Sequence, residues 1–176
     1  LESDLASNGV MFYLVGYSIT NVVVFAAVIS FFNMTSREEI ADLGGLAASQ
    51  PFLAACLGMG LFSLAGLPIF AGFTMKFYLF TAVASEGFLW LAGLAIFSSL
   101  VSLYYYFQVL RHVYIESAPP GQSGGDLVEE NPALSRSPSF PIVVVLASGA
   151  GAMIWLGIYP RPLIEIIQAA SKAVMG

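Results

Sequence analysis

The chain has 176 residues, of which 58% are hydrophobic and 10% charged, against about 45–50% apolar and about 25% charged in ordinary soluble domains. A mean hydropathy of +0.84 and 14% aromatic residues also exclude a disordered chain, since disordered segments lack the apolar groups that offset chain entropy. What remains is an all-α integral membrane protein, whose first partner is the lipid bilayer. Six Lys and Arg against eleven Asp and Glu give a formal charge of -5, so no basic patch exists to neutralise phosphates and nucleic acid is not a partner. Cys56 is the one cysteine, which excludes a disulfide framework, a Cys-x-x-Cys and an Fe–S ligand set. Any redox centre is therefore expected on another chain, and no metal, cofactor or bond-making catalytic residue is expected in this one. The opening Leu1-Glu2-Ser3-Asp4 has neither Met nor a basic segment, as expected of the interior of a longer chain rather than of a signal peptide.

No charged residue occurs between Asp4 and Arg37, and the apolar stretch within it exceeds the roughly 20 residues that cross a bilayer core. This predicts a first transmembrane helix over residues 10–32. Its middle carries Tyr17, Ser18, Thr20 and Asn21, which in hydrocarbon must face another helix or water. Interhelical hydrogen bonding is the simpler role for them; Tyr17 and Asn21 are carried forward as candidates for a proton path. Residues 33–50 hold Arg37, Glu38, Glu39 and Asp42 and read as a solvated loop ending at Pro51. Glu38 and Glu39 are sequence neighbours and do not face each other across a cleft, as a catalytic carboxylate pair must.

Apolar character then resumes over residues 51–85, and a straight helix of that length would reach roughly 50 Å, well beyond a bilayer core. A break explains the excess. Ala65-Gly66-Leu67-Pro68 and Ala71-Gly72 interrupt the ladder, because Pro68 has no N–H and Gly66 and Gly72 tolerate non-helical dihedrals. The second membrane helix is thus expected over 51–83, discontinuous at Gly66, Pro68 and Gly72.

Residues 88–112 predict a third helix with Trp90 near one end and Tyr104-Tyr105-Tyr106 near the other, as suits interfacial belts. Ser98, Ser102 and either Tyr105 or Tyr106 share one face, and Tyr104, Gln108 and Arg111 form a second stripe; the first reads as packing and the second as interfacial, in preference to a proton path. His112, the only histidine, lacks partners for a metal site and reads as interfacial. An extramembrane loop is expected over 114–138, rich in Pro, Gly and acid. A fourth helix follows over 139–159, with Ala147, Gly151 and Gly157 as small-residue packing positions. The tail, 163–174, places Glu165, Gln168 and Lys172 on one face and suits a short interfacial helix. The whole of 1–176 reads as a single membrane domain of four transmembrane helices.

Lys76 demands a chemical explanation. A lysine at the bilayer centre costs about 2.5–3.5 kcal/mol or more, and this one lies roughly 15 Å from the end of its span, beyond comfortable snorkelling reach. Its ammonium must meet a carboxylate, backbone carbonyls or water inside the protein. Burial disfavours the charged form, so such a lysine can exchange a proton where an exposed one cannot. A proton relay is preferred over a fixed ion pair, helped by carbonyls that the broken helix frees near Ala65 and Gly66.

Around Lys76 the run AGLPIFAGFTMKFYLF, residues 65–80, resembles the broken-helix motif of the antiporter-like membrane subunits of proton-pumping NADH:quinone oxidoreductase, respiratory complex I, those of the subunit N type above all. GYSITNVVVFAAVISFF at 16–32, the Asp42-Leu43-Gly44-Gly45-Leu46 loop and SLYYYFQVLRHVY at the end of the third helix agree in order. The resemblance implies an inverted-repeat fold of fourteen helices, of which these would be the last four, in a bacterial plasma membrane. It implies that Lys76 is a proton-channel residue, that other membrane-arm subunits of complex I are its partners, and that FMN, Fe–S clusters and quinone belong to partner subunits. The first repeat, with its glutamate and lysine pair, and the central lysine are not among these residues. An Mrp-type cation/proton antiporter, which shares the motif, is the alternative; a structural segment that moves no ion is a third. The excess of Arg37, Arg111 and Arg136 over Arg161 and Lys172 places the first set of loops on the cytoplasmic side, in agreement with that family.

Overall fold

A computed structural model describes residues 2–116 and 138–175. Among these residues the regular structure is helical throughout: α1 (Glu2–Thr35), a 3-10 turn (Ile40–Leu43), α2 (Leu46–Ser49), α3 (Pro51–Ala65), α4 (Ala71–Ser85), α5 (Leu89–Tyr114), α6 (Phe140–Ile158) and α7 (Arg161–Met175). The loop expected over 114–138 lies outside the described residues for most of its length; Tyr114 itself ends α5.

Among the described residues three helices are long and apolar enough to cross a membrane: Ser7–Thr35 within α1, α5 and α6, with 29, 26 and 19 residues. At 1.5 Å per residue they reach roughly 44, 39 and 29 Å, against a hydrocarbon core of about 30 Å. The segment 51–83, expected as a fourth crossing, holds two separate helices, α3 and α4, with 15 residues each. At roughly 22 Å apiece neither half is long enough alone.

α1 is the central helix and packs against α3, α4, α6 and α7, while α5 lies against α3 and α4. Phe12, Val23 and Ala27 of α1, Leu53 and Leu57 of α3, Met75 of α4 and Leu146 and Met153 of α6 make the buried core. Lipid tails are as apolar as these side chains, so burial alone does not hold helices together in a membrane, and close packing has to. Small residues permit it. A methyl group at Gly60 would collide with Val24, and one at Gly149 with Val23. On α6 the packed positions are therefore Gly149, Ala150 and Gly157, whereas Ala147 and Gly151 face outward. The four-residue spacing of the expected pair marks a face but not which side it is on; the larger Leu146, Met153 and Leu156 decide that.

The segment expected as a solvated loop is partly anchored. Leu43 and Leu46 are buried, and the Gly45 N–H donates to the Glu116 carbonyl, so this connection lies on α5. Its charged residues stay at the surface, with Arg37 paired to Asp42 at 3.4 Å. At the end of α5, Glu116 takes Arg111 at 3.2 Å and also contacts His112 Nδ1. Two basic residues in that last turn also oppose the negative end of the helix dipole. In α7, Ile167 and Ser171 are buried while Glu165, Gln168 and Lys172 are exposed, which gives the two faces expected of the tail.

Candidate functional site at the helix break

The break is built from three local rules. α3 ends in Gly66, at φ +85°, a left-handed conformation that costs a residue bearing a Cβ roughly 1–2 kcal/mol. The Gly66 N–H then reaches the Ser63 carbonyl at 3.0 Å and the Leu67 N–H reaches Phe62 at 3.1 Å, the bonding pattern of a Schellman stop. That motif satisfies Phe62 and Ser63 but not Leu64. The donor four residues on from Leu64 would be residue 68, and Pro68 has no N–H.

Lys76 fills the vacancy. Its Nζ donates to the Leu64 carbonyl at 2.7 Å, and its stem runs past Gly66, to whose added Cβ the Lys76 Cδ would be 3.4 Å. Among the described residues Lys76 has no carboxylate partner, and its acceptor is backbone. A carbonyl stabilises the ammonium through a charge-assisted hydrogen bond, yet carries no full charge to hold the proton permanently.

The start of α4 has the complementary problem of orphan N–H groups. Its N-cap, Phe70, offers no side-chain acceptor. Ser63 supplies one from the other half-helix, its Oγ accepting from the Gly72 N–H at 3.1 Å. Thr20 of α1 lies 3.1 Å from the same Oγ and donates to Gly16 in its own helix at 2.9 Å. With the Thr20 proton so used, Ser63 is the donor between the two hydroxyls, giving one buried chain from Gly72 N–H through Ser63 and Thr20 to the Gly16 carbonyl. The halves approach so closely that a Cβ on Gly72 would lie 1.7 Å from the Ser63 carbonyl oxygen. Only glycine fits there.

Around Lys76 lies a cavity of about 260 Å³, lined by Tyr13, Tyr17 and Thr20 of α1, Ser63 and Leu64 of α3, Gly72 and Met75 of α4, and Ser98, Ser99, Ser102 and Tyr106 of α5. Its walls are rich in hydroxyls, and it is roomy enough to hold several waters. Of the three expected proton-path residues, the structure brings Lys76 and Tyr17 together on this cavity. Asn21 is not among the lining residues; its amide donates to the Tyr17 carbonyl at 2.8 Å within α1. Gly66, Pro68 and Gly72 all belong to the break or its edge.

The stripe of Ser98, Ser102 and a tyrosine, read from sequence as packing, lines the cavity, and the tyrosine that joins it is Tyr106. Tyr105 points outward, 61% exposed. Sequence reasoning missed Ser63 and Ser99. Ser63 had a signal: it is the lone hydroxyl in 51–65.

A model of the family described as NADH:quinone oxidoreductase/Mrp antiporter, TM, matches residues 2–102. The chain belongs to this family. Curated proteins similar to it are NADH-quinone oxidoreductase subunit N from Moorella thermoacetica, 37% identical over 161 residues, covering 92% of this chain and 32% of that protein, and the subunit N of Geotalea uraniireducens, 34% identical over 160 residues, covering 91% and 32%. The chain thus spans about one third of the length of these relatives. Among solved structures, the Mrp complex from Dietzia sp. contains a chain that this fold matches with a TM-score of 0.80 at 19% identity, covering 96% of this chain and 38% of that one. At that identity the match establishes the fold alone. Membership of this family, with three helices of spanning length, makes the chain part of an integral, multipass membrane protein.

Proposed function

We propose that the chain belongs to a proton-translocating membrane-arm subunit of an NADH:quinone oxidoreductase in a bacterial plasma membrane, and that Lys76 carries the transported proton. The single observation that carries this reading is the Lys76 ammonium at the helix break, bonded to the Leu64 carbonyl inside a hydroxyl-lined cavity. In the charged state Nζ donates to that carbonyl. On release, the proton passes to the cavity, whose Ser102, Tyr17 and Tyr106 hydroxyls can each accept and donate. The neutral amine then takes a new proton from the other side of the break, and the half-helices α3 and α4 act together as one crossing. Asn21 supports the path indirectly by holding the Tyr17 turn.

The oxidation of NADH and reduction of quinone are assigned to partner subunits that hold FMN, Fe–S clusters and quinone, and this chain meets other membrane-arm subunits through its helices. The named relatives favour this reading over an Mrp-type antiporter, for which the 19% likeness supports only the architecture. Against a purely structural segment stands the Lys76 ammonium, which among the described residues meets a backbone carbonyl rather than a carboxylate in a polar cavity.

The test is Lys76→Met in the complete complex, a change that keeps bulk and removes the titrating amine. The expected result is a complex that assembles and oxidises NADH but moves fewer protons per electron pair in reconstituted vesicles. An unchanged proton count would remove Lys76 from the path.

A further inference from the structure

We infer that Thr74 is a positioning residue, which, with the last turn of α6, sets how Lys76 meets the Leu64 carbonyl; this rests on the role given to Lys76 above. Serine and threonine hydroxyls inside helices usually return to the carbonyl four residues back. Ser18, Thr20, Thr35, Thr81, Ser102 and Ser148 all do so in this protein. Thr74 does not. Its Oγ1 donates across the fold to the Gly157 carbonyl at 3.0 Å, while the carbonyl it would otherwise meet, Phe70, accepts the Phe73 N–H. Gly157 stands in the last turn of α6, where carbonyls lack helical donors.

A second contact falls at the same place. A Cβ on Gly157 would lie 1.9 Å from the Ile69 carbonyl oxygen and 2.6 Å from the Phe70 carbonyl carbon, so the end of α6 touches the backbone of the break directly. Ile69 stands at φ +87°, a strained conformation for a β-branched residue that persists only where the surroundings over-determine it. The Gly157 seat supplies that constraint on one side and the Thr74 hydroxyl ties α4 to it on the other. Two residues after Thr74 comes Lys76, and the 2.7 Å bond to Leu64 crosses the gap whose width this seat fixes. The titratable groups lining the Lys76 cavity are Tyr13 and Tyr17 of α1 and Tyr106 of α5; among the described lining residues, α3 contributes none and α4 only Lys76.

The experiment compares Thr74→Val, which keeps the shape and removes the donor, with Thr74→Ser, which keeps the donor, in the complete complex. Protons moved per electron pair are followed across pH, beside Lys76→Met. The expected result is that Thr74→Val assembles and moves the alkaline limb of the profile to lower pH by about half a unit or more, because a misplaced ammonium has a weaker acceptor. Thr74→Ser restores the parent profile. A Thr74→Val profile identical to the parent, beside a silenced Lys76→Met, overturns the positioning role and leaves Lys76 as carrier; an unaltered Lys76→Met overturns the carrier itself. Should Thr74→Val be missing from the complex, Thr74→Cys, a smaller residue and a weak donor, is read in the same way. Loss of assembly with both variants makes the hydroxyl a purely structural bond and overturns the proposal.

Discussion

Ser63 does two jobs that its place in the sequence does not announce. It caps an N–H of α4, which the Phe70 N-cap cannot do, and it joins the break to α1 through Thr20. Because Ser63 and Thr20 are buried, no bulk water stands ready to replace a lost partner, and an orphaned buried donor costs about 1–3 kcal/mol. Ser63→Ala is therefore expected to lower stability by roughly that amount, measured as a shift in the unfolding of the subunit in detergent. Ser102→Ala removes a hydroxyl whose bond returns to its own helix at Ser98 and should cost less. Equal losses for the two would show that the Gly72 N–H does not depend on Ser63.

At the scale of the element, the break is specified redundantly. Gly66 turns the chain, Pro68 withholds a donor from Leu64, and Gly72 lets the second half approach the first. Gly66→Ala must hold a Cβ at φ +85° and is expected to destabilise the subunit by about 1–2 kcal/mol, with Gly66→Asn costing less, since asparagine tolerates the left-handed region. Detergent unfolding of the two variants checks the order, and Ala tolerated better than Asn would contradict the backbone argument. The break was legible in the sequence because glycine and proline state their backbone consequences locally. So was the need of Lys76 for an acceptor inside the protein, met by the Leu64 carbonyl. The partner of Lys76 was less so, since which freed carbonyl faces it depends on how α4 turns back against α3. The serine stripe of α5 was found as a face but not as a cavity lining, because periodicity says which residues share a face and not what that face meets. Thr74 was invisible for the same reason, as its acceptor lies 83 residues away.

At the scale of the molecule, many of the hydroxyls of the described helices line one cavity. α1, α3, α4 and α5 each contribute to one cavity about a single cation, while the outer surface of α5 shows Trp90, Leu94, Phe97 and Leu100 to its surroundings. This division is what a membrane imposes on a buried cation: polar groups around it inside, apolar side chains outside. In the mechanism proposed above, Lys76 releases its proton in each cycle rather than holding it as a fixed charge. Lys76→Arg tests that most directly, since a guanidinium keeps the charge and the hydrogen-bonding capacity but does not deprotonate in proteins. Proton uptake per electron pair would be measured in vesicles containing the assembled Lys76→Arg complex. The expected result is a complex that forms yet loses coupled proton movement through this site; pumping at the parent level would show that Lys76 does not release its proton.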